Sequence, residues 1–267
     1  MSSTDWGLWR MRRWGFFDQK DRALRVSVSG PVGCGKTSLV EKLGWALKEE
    51  FSLAVVTNGL VSTVDAKKLR ETGVLPKERI TGIETGVTPR GQTRDSTVLN
   101  LGVAAQLERR FPDLDIILIE GGADNRTGMV SPRLVDLSIY MIDTGQGEHT
   151  PRQGGPGVCT SDLLIINKLD LAHRVGASLA GMARDARQMR GDRPFLFTNL
   201  FGGTGAAGAG EVAAWLRRQY VTKRWHNDLT AATDSSHPAT TGASRGIHDS
   251  PLSPGQTDAI CVPPWAD

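Results

Sequence analysis

The stretch GPVGCGKT at residues 30–37 decides the fold of this chain. It follows an apolar run, LRVSVS at 24–29, and opens an amphipathic stretch at 37–50. Its three glycines permit a backbone geometry that side chains would block, so that successive N–H groups can converge on the phosphate oxygens of a nucleotide. A helix that starts directly from such a loop adds the positive end of its dipole. Strand, loop and helix together predict a phosphate-binding loop.

Lys36 and Thr37 are the two side chains of this loop with a predicted chemical role. Lys36 brings a mobile positive charge to the outer phosphates, and the hydroxyl of Thr37 is suited to the Mg²⁺ ion that bridges them. Mg²⁺ and a nucleotide are therefore the predicted cofactors. The predicted nucleotide-binding residues of this segment are Gly30, Pro31, Val32, Gly33, Cys34, Gly35, Lys36, Thr37 and Ser38.

A second motif, NKLD at 167–170, identifies the base. It stands at the end of an apolar run that begins at residue 163. The carboxylate of Asp170 can accept from both the N1 hydrogen and the exocyclic amine of guanine. Adenine has no such pair of donors at that edge, so a buried carboxylate there would stay unpaired with ATP. The sequence therefore predicts that the nucleotide is GTP.

Three further polar residues accompany Asp170 at the ends of predicted strands. Lys168 can lie along the base with its aliphatic stem, and Asn167 can tie this loop back to the phosphate loop. Asn199 belongs to a TNL segment that follows another predicted strand. Because the carboxyl ends of parallel strands meet in one crevice, we predict that all four residues bind the nucleotide.

Two acidic residues, Glu84 and Glu120, end the third and fourth predicted strands. Each can sit at the carboxyl edge of the sheet, where it would hold Mg²⁺ or position the attacking water. We predict Lys36, Glu120 and Glu84 as catalytic residues and Thr37 and Glu84 as Mg²⁺ ligands. An ordinary capping or surface acid is the alternative for each glutamate. The GGADN segment at 121–125 is a candidate for a loop that senses the terminal phosphate.

Short apolar runs alternate with amphipathic stretches along the chain, a pattern typical of an α/β fold. Several runs are almost continuously hydrophobic, as parallel strands buried on both faces require. We therefore predict a P-loop NTPase domain with a mostly parallel sheet and helices on both faces. Leu99, Val103, Leu107 and Phe111 recur every fourth residue and predict one helix that packs on the sheet through this stripe. The strands are predicted at 24–29, 53–57, 80–84, 115–120, 137–143, 163–167 and 194–198.

The two ends of the chain differ in composition from its centre. Residues 1–23 interleave tryptophans and phenylalanines with arginines. They predict a poorly ordered leader, with a membrane-surface or partner-binding anchor as the alternative. Residues 222–267 are rich in Ser, Thr, Gly, Pro, Asp and His and predict a disordered tail. One folded domain is therefore predicted at 24–221, with flexible tails.

Composition excludes several classes of function. Lys and Arg exceed Asp and Glu by only 32 to 29, which is too small a surplus for a nucleic-acid partner. No run approaches the roughly 18 to 20 apolar residues of a membrane span. The three cysteines, at 34, 159 and 261, are odd in number and lack paired spacing, which argues against a disulfide framework. A soluble protein of the cytoplasm is predicted.

Several motifs of this chain carry a resemblance to a known family. They are GPVGCGKT at 30–37, AVVTN at 54–58, ERITGIETG at 78–86, the Glu120 loop ending in Asp124-Asn125, PRQGGPG at 151–157, INKLDLA at 166–172, VGASL at 175–179 and MRGDRPFLFTNL at 189–200. Through them, residues 24–220 resemble the UreG family of urease accessory proteins, SIMIBI-class P-loop GTPases related to the hydrogenase-maturation protein HypB. The resemblance implies that GTP binding and slow, partner-dependent hydrolysis assist nickel incorporation into apo-urease. It also implies other urease accessory proteins as partners, and a homodimer that holds the metal at its interface.

The resemblance breaks at the family's metal motif, Cys-Pro-His. The corresponding run is ETGVTPR at 84–90, where Thr88 replaces the thiolate and Arg90 replaces the imidazole. A permanently charged guanidinium has no lone pair for a metal. We therefore predict that the nickel site is lost. The family's Asn-Asp pair is Asn58-Gly59 here, which removes an acid near Mg²⁺.

Three hypotheses of function follow from these residues. The first is a GTPase that assists urease maturation. The second is a degenerate nucleotide-dependent binding or regulatory module that does not itself carry nickel, which Thr88, Arg90 and Gly59 favour. The third is a small-molecule kinase. The guanine-reading carboxylate of Asp170 argues against it, because an enzyme that uses ATP has no need of that group.

Overall fold

The computed structural model describes part of the chain. The described residues are 22–59, 64–84, 97–121, 134–201 and 208–234, with only the helical backbone described from 224 onward. The predicted leader up to residue 21 and the predicted tail beyond Asp234 lie outside the described residues. Thr88, Arg90 and the segment 122–125 lie outside them as well.

A single parallel sheet of seven strands forms the centre of the domain. The strands are β1 (Leu24–Ser29), β2 (Leu53–Gly59), β3 (Ile80–Glu84), β4 (Ile116–Glu120), β5 (Leu137–Asp143), β6 (Leu163–Asn167) and β7 (Phe195–Phe197). Their order across the sheet is β3-β2-β4-β1-β5-β6-β7, and each neighbouring pair is parallel. The predicted α/β class is therefore confirmed. The predicted strands are found with bounds that differ by at most two residues.

Helices cover both faces of this sheet, as predicted. They are α1 (Lys36–Leu47), α2 (Val64–Glu71), α3 (Thr97–Arg110), α4 (Pro156–Thr160), α5 (Leu179–Arg190) and α6 (Ala209–Asp234). Successive side chains of β4 point to opposite faces. Ile116 and Leu118 join the core cluster that includes α1 and α6, while Ile117 and Ile119 join the cluster that includes α3. The apolar runs are continuous because each strand is buried on both sides.

The predicted apolar stripe of helix α3 is wrong at its first residue. Leu99 is 54% exposed, whereas Leu107 is buried. The buried face is formed by Asn100, Ala104 and Leu107, with partial burial of Phe111 just after the helix. The physical reason is the helical period. Four residues make slightly more than one turn of 3.6, so a four-residue spacing drifts around the helix.

Helix α6 continues to Asp234, beyond the domain boundary predicted at 221. Its first half packs on α1 through Val212 and Leu216, and the ring of Tyr220 meets Phe51 at 4.9 Å between centroids. Residues 222–234 lack an apolar stripe, which is why their composition favoured a tail. Lysine, arginine, leucine and alanine are nevertheless good helix formers, and they extend the packed helix.

Two of the three cysteines, Cys34 and Cys159, lie among the described residues. Cys34, in the phosphate loop, is a buried free thiol, and burial raises its pKa to about 11. Cys159, in α4, is buried as well.

Candidate functional site

The loop between β1 and α1 has the backbone geometry that its glycines predict. Gly30, Gly33 and Gly35 have φ angles of 145°, 78° and 107°, values that favour glycine. Gly35 also has no room for a side chain, because a Cβ atom there would lie 2.5 Å from Nδ2 of Asn167. Val32, at the tip of the loop, is 65% exposed. The loop therefore offers its backbone to solvent at the start of α1, where a helix dipole favours an anion.

Lys36 is held inside this loop. Its Nζ atom donates to the carbonyl oxygens of Gly30 and Pro31, each at 2.9 Å, and the residue is buried. Among the described residues no carboxylate forms an ion pair with it. A buried cation that only neutral carbonyls contact is suited to bind an anion such as a phosphate.

Thr37, Glu120 and Asp65 form a cluster of oxygen atoms beside this cation. Thr37 Oγ1 donates to Glu120 Oε1 at 2.6 Å and lies 3.4 Å from Asp65 Oδ1. The parallel register of β1 and β4 sets Glu120 opposite Val28, two residues before the loop. Asp65 comes from the first turn of α2. A hydroxyl and two carboxylates are the hard oxygen donors that Mg²⁺ prefers.

Sequence reasoning missed Asp65. It follows the predicted second strand by several residues and has no motif of its own, so it resembled any acid in the first turn of a helix. Only the fold brings it next to Thr37. Glu84 shows the reverse case. It ends the edge strand β3, two strands from β4, or about 10 Å at the usual strand spacing, and its side chain is exposed. The structure does not bring Glu84 to Thr37.

The surroundings of Glu120 disfavour the ionised form of its carboxyl group. Burial raises its pKa to about 7, and the negative charge of Asp65 adds to the rise, while the hydrogen bond from Thr37 and the charge of Lys36 oppose it. Its second oxygen, Oε2, is buried without a hydrogen-bond partner in the described part of the chain. A buried acceptor without a donor is costly. A cation or a water at this position would relieve that cost.

Replacing Glu120 with glutamine is expected to stabilise the nucleotide-free protein at pH 8 and to have little effect near pH 4. The folded-state pKa of about 7 lies above the ordinary value of 4.5. The folded protein therefore holds this proton more tightly than the unfolded chain, and stability falls as the pH rises between these two values. The difference is worth about 3 kcal/mol, or roughly 5 to 10 °C in Tm.

Thermal unfolding in EDTA at both pH values measures this effect. Glu49→Gln, which changes an exposed carboxylate, is the matched control and should give no gain at pH 8. An equal gain for Glu120→Gln at pH 4 and pH 8 would show that the charge of Glu120 is not the cause.

Asn167 joins the phosphate loop to the second motif. Its Nδ2 atom donates to the carbonyl of Cys34 at 2.9 Å. Its Oδ1 atom accepts from Thr198 Oγ1 at 2.9 Å and from the backbone N–H of Leu200 at 3.2 Å. The predicted tie to the phosphate loop is thus present in the structure. One amide side chain fixes the ends of β6 and β7 against the loop that follows β1.

Lys168, Asp170 and Asn199 lie around this amide. Lys168 has a φ of 61°, and its Nζ atom pairs with Asp143 Oδ2 at 3.3 Å. Asp170 is exposed, whereas the predicted guanine selectivity requires a carboxylate that is buried in the complex. Asp170 is exposed because the turn after β6 faces solvent in this structure. A base bound there would cover its carboxylate. The Oδ1 atom of Asn199 is buried and has no partner among the described residues.

The carboxyl edge of the sheet thus collects unsatisfied polar groups. Buried side-chain atoms without a hydrogen-bond partner in the described ranges include Ser29 Oγ, Glu120 Oε2 and Asn199 Oδ1, each at the end of a strand or just after it. Buried polar groups are normally paired. Their concentration here, beside Lys36 and an exposed glycine loop, fits a phosphate-bearing ligand and a hard cation.

Other predicted features are outside this site or are not described. The candidate phosphate-sensing loop beyond Gly121 and the run with Thr88 and Arg90 lie outside the described residues. Within the described ranges, no group of three or more His, Cys, Asp and Glu side chains is arranged to hold a metal ion. None of the helices described is long and apolar enough to cross a membrane.

A parallel sheet with a glycine loop between its first strand and first helix defines a P-loop NTPase-like protein. Residues 24–197 match the nucleotide-binding domain of CobW, HypB and UreG, and the chain belongs to this CobW/HypB/UreG family. Its fold is similar to that of HypB from Helicobacter pylori in complex with nickel, with a TM-score of 0.61 and 16% identity over 84% of this chain and 97% of that one. HypB from Archaeoglobus fulgidus is also similar, with a TM-score of 0.56 and 21% identity over 80% and 94%.

Proposed function

We propose that the protein is a cytoplasmic GTPase of the UreG type, which binds and hydrolyses GTP to assist nickel incorporation into apo-urease. The observation that carries the nucleotide part is the bridge made by Asn167, which links the phosphate loop to the turn that holds Asp170. This bridge would hold the phosphate-binding loop and the base-binding turn at a fixed distance, so that one nucleotide can bind to both. The urease part rests on the motifs that resemble the UreG family, above all PRQGGPG at 151–157 and INKLDLA at 166–172.

The residues divide the work as follows. Lys36 binds the outer phosphates, since its charge has no carboxylate partner in the described part of the chain. Thr37, Glu120 and Asp65 would hold Mg²⁺, which neutralises phosphate charge when bound. Glu120 also lies near enough to Thr37 to orient a water on its free oxygen, and Glu84 is the weaker candidate for that role. Slow hydrolysis without a partner is expected, because no described arginine contacts this site.

Nucleotide competition tests the proposal. Labelled GTP with Mg²⁺ should be displaced by unlabelled GDP and not by ATP, because Asp170 finds its pair of donors only on guanine. Displacement by ATP at the same concentration as GDP would contradict guanine selectivity and favour the small-molecule kinase. Phosphate release from GTP then tests the activity itself.

A second candidate function is a nucleotide-dependent regulatory module that does not carry nickel. Gly59, the last residue of β2, has no side chain where the UreG family has an acid. Thr88 and Arg90 stand where that family has its metal-binding Cys and His. These three residues favour a protein that occupies an accessory complex, with other urease accessory proteins and apo-urease as partners, without delivering metal.

Nickel binding separates the two candidates. We expect equilibrium dialysis to find no tight, stoichiometric nickel or zinc on the purified protein, because a hydroxyl and a guanidinium replace the soft thiolate and the imidazole that suit these ions. The double variant Thr88→Cys with Arg90→His restores those ligands and should gain at least about tenfold in nickel affinity. Tight nickel binding by the unaltered chain, with GTP-dependent homodimers, would overturn the predicted loss.

A further inference from the structure

Phe201 is a large apolar side chain left in solvent beside the candidate nucleotide site. It is 79% exposed, although Leu200 before it is buried. It follows β7 and the TNL segment, at the same edge of the sheet as the turn that holds Asp170. A phenyl ring that stays in solvent loses the free energy that its burial would contribute. The ring of Phe201 therefore has apolar surface to give to a ligand.

Hydrogen bonds fix the backbone next to Phe201 to the base-reading turn. The N–H of Leu200 donates to Asn167 Oδ1 at 3.2 Å, and the N–H of Leu169 donates to the carbonyl of Thr198 at 3.4 Å. Thr198 Oγ1 also donates to Asn167 Oδ1. Phe201 directly follows Leu200, which is hydrogen-bonded after the end of β7. Asp170 directly follows Leu169, which is hydrogen-bonded after the end of β6.

The chemistry of a purine base matches this arrangement. A carboxylate in the plane of the base reads its edge, which is the role proposed for Asp170, and leaves the two faces of the ring system open. The aliphatic stem of Lys168, whose Nζ atom is tethered to Asp143, can cover one face. An aromatic ring can cover the other face, because nucleic-acid bases stack favourably on aromatic side chains.

We propose that Phe201 stacks on the purine base of the bound nucleotide. The inference rests on the proposed function, since it requires a nucleotide in the site. On this proposal, Phe201 contributes to nucleotide affinity and Asp170 determines which base is bound. Stacking is tolerant of the groups on the ring edge, so Phe201 adds affinity for any purine. Asp170 alone then distinguishes guanine from other bases.

Calorimetric titration with three diphosphate ligands tests the proposal. Phe201→Ala should weaken GDP and inosine diphosphate by the same factor, about fivefold to 150-fold, and should leave inorganic pyrophosphate unchanged. Phe201→Trp should retain GDP affinity and give a GDP-dependent change in tryptophan fluorescence that the unaltered chain lacks. Val98→Ala is the matched control, because Val98 is also 79% exposed and belongs to helix α3, not to the turn after β7.

Each outcome has a separate meaning. If Phe201→Ala binds GDP as tightly as the unaltered chain while Lys36→Ala does not bind it, the stacking role is wrong and the nucleotide site stands. The stacking role is also wrong if Phe201→Ala weakens pyrophosphate as much as GDP, since the side chain would then act on the loop and not on the base. If the unaltered chain binds no GDP, the proposed function itself fails.

Discussion

Lys36→Ala is expected to reduce GTP affinity at least about 100-fold, one of the two largest effects expected in this protein. The ammonium group of Lys36 is buried in the phosphate loop, and within the described part of the chain it donates to the carbonyls of Gly30 and Pro31. A triphosphate would replace those neutral acceptors with charged oxygens, and charge-assisted bonds are about twice as strong as neutral ones. Alanine removes both the charge and the bonds.

A control on the same helix separates this effect from net charge. Lys42→Ala removes one positive charge from α1 at a partly exposed position outside the loop, and should change GTP affinity less than about twofold. Because Lys36→Ala leaves two loop carbonyls without a donor, Lys36→Met, which keeps the aliphatic stem, and a thermal unfolding curve should accompany it. GTP affinity that is unchanged in folded Lys36→Ala would contradict the role of the loop.

The sequence predicted the sheet well because burial leaves a simple signal. Each of the seven strands is short, and β4 and β6 are buried at every residue, so their apolar runs stand out from the flanking polar segments. The order of the strands is a different matter. The neighbours β2 and β4 pair in parallel with β3 between them in the chain, and no local pattern records such a crossover.

The candidate site was predictable where a motif fixes a backbone shape and not where only the fold creates a contact. The glycines of the phosphate loop and the amide of Asn167 have roles that follow from their position relative to a strand. Asp65 contacts Thr37 because α2 packs next to α1. No sequence motif around Asp65 indicates this contact. Glu84 shared the strand-end pattern of Glu120, yet it lies on the edge strand, and strand position in the sheet decided between them.

The exposure of Asp170 has a consequence for experiment. The side chain is exposed in the structure without a ligand, so a bound base would have to cover this carboxylate for it to select guanine. A substitution there also removes no contact from the folded core. Changes at Asp170 are therefore expected to alter base choice with a shift in Tm of less than about 1 °C.

Asp170→Asn is expected to exchange the preferred nucleotide from GTP to XTP. The carboxylate accepts from the N1 hydrogen and the exocyclic amine of guanine. In the variant an amide N–H would face that amine, donor against donor, and GTP affinity should fall about 100-fold or more. Xanthine has a carbonyl oxygen where guanine has its amine, so the amide can donate to it while its oxygen accepts from N1.

Competition of labelled XTP and GTP on the variant and on the unaltered chain measures the exchange. Asp192→Asn, at another exposed aspartate, is the matched control and should keep the preference for GTP. Pyrophosphate affinity should be equal in all three proteins, because the phosphate loop is untouched. If Asp170→Asn retains GTP affinity, this residue does not read the base, and Asn199, whose buried Oδ1 atom has no partner among the described residues, becomes the next candidate to test.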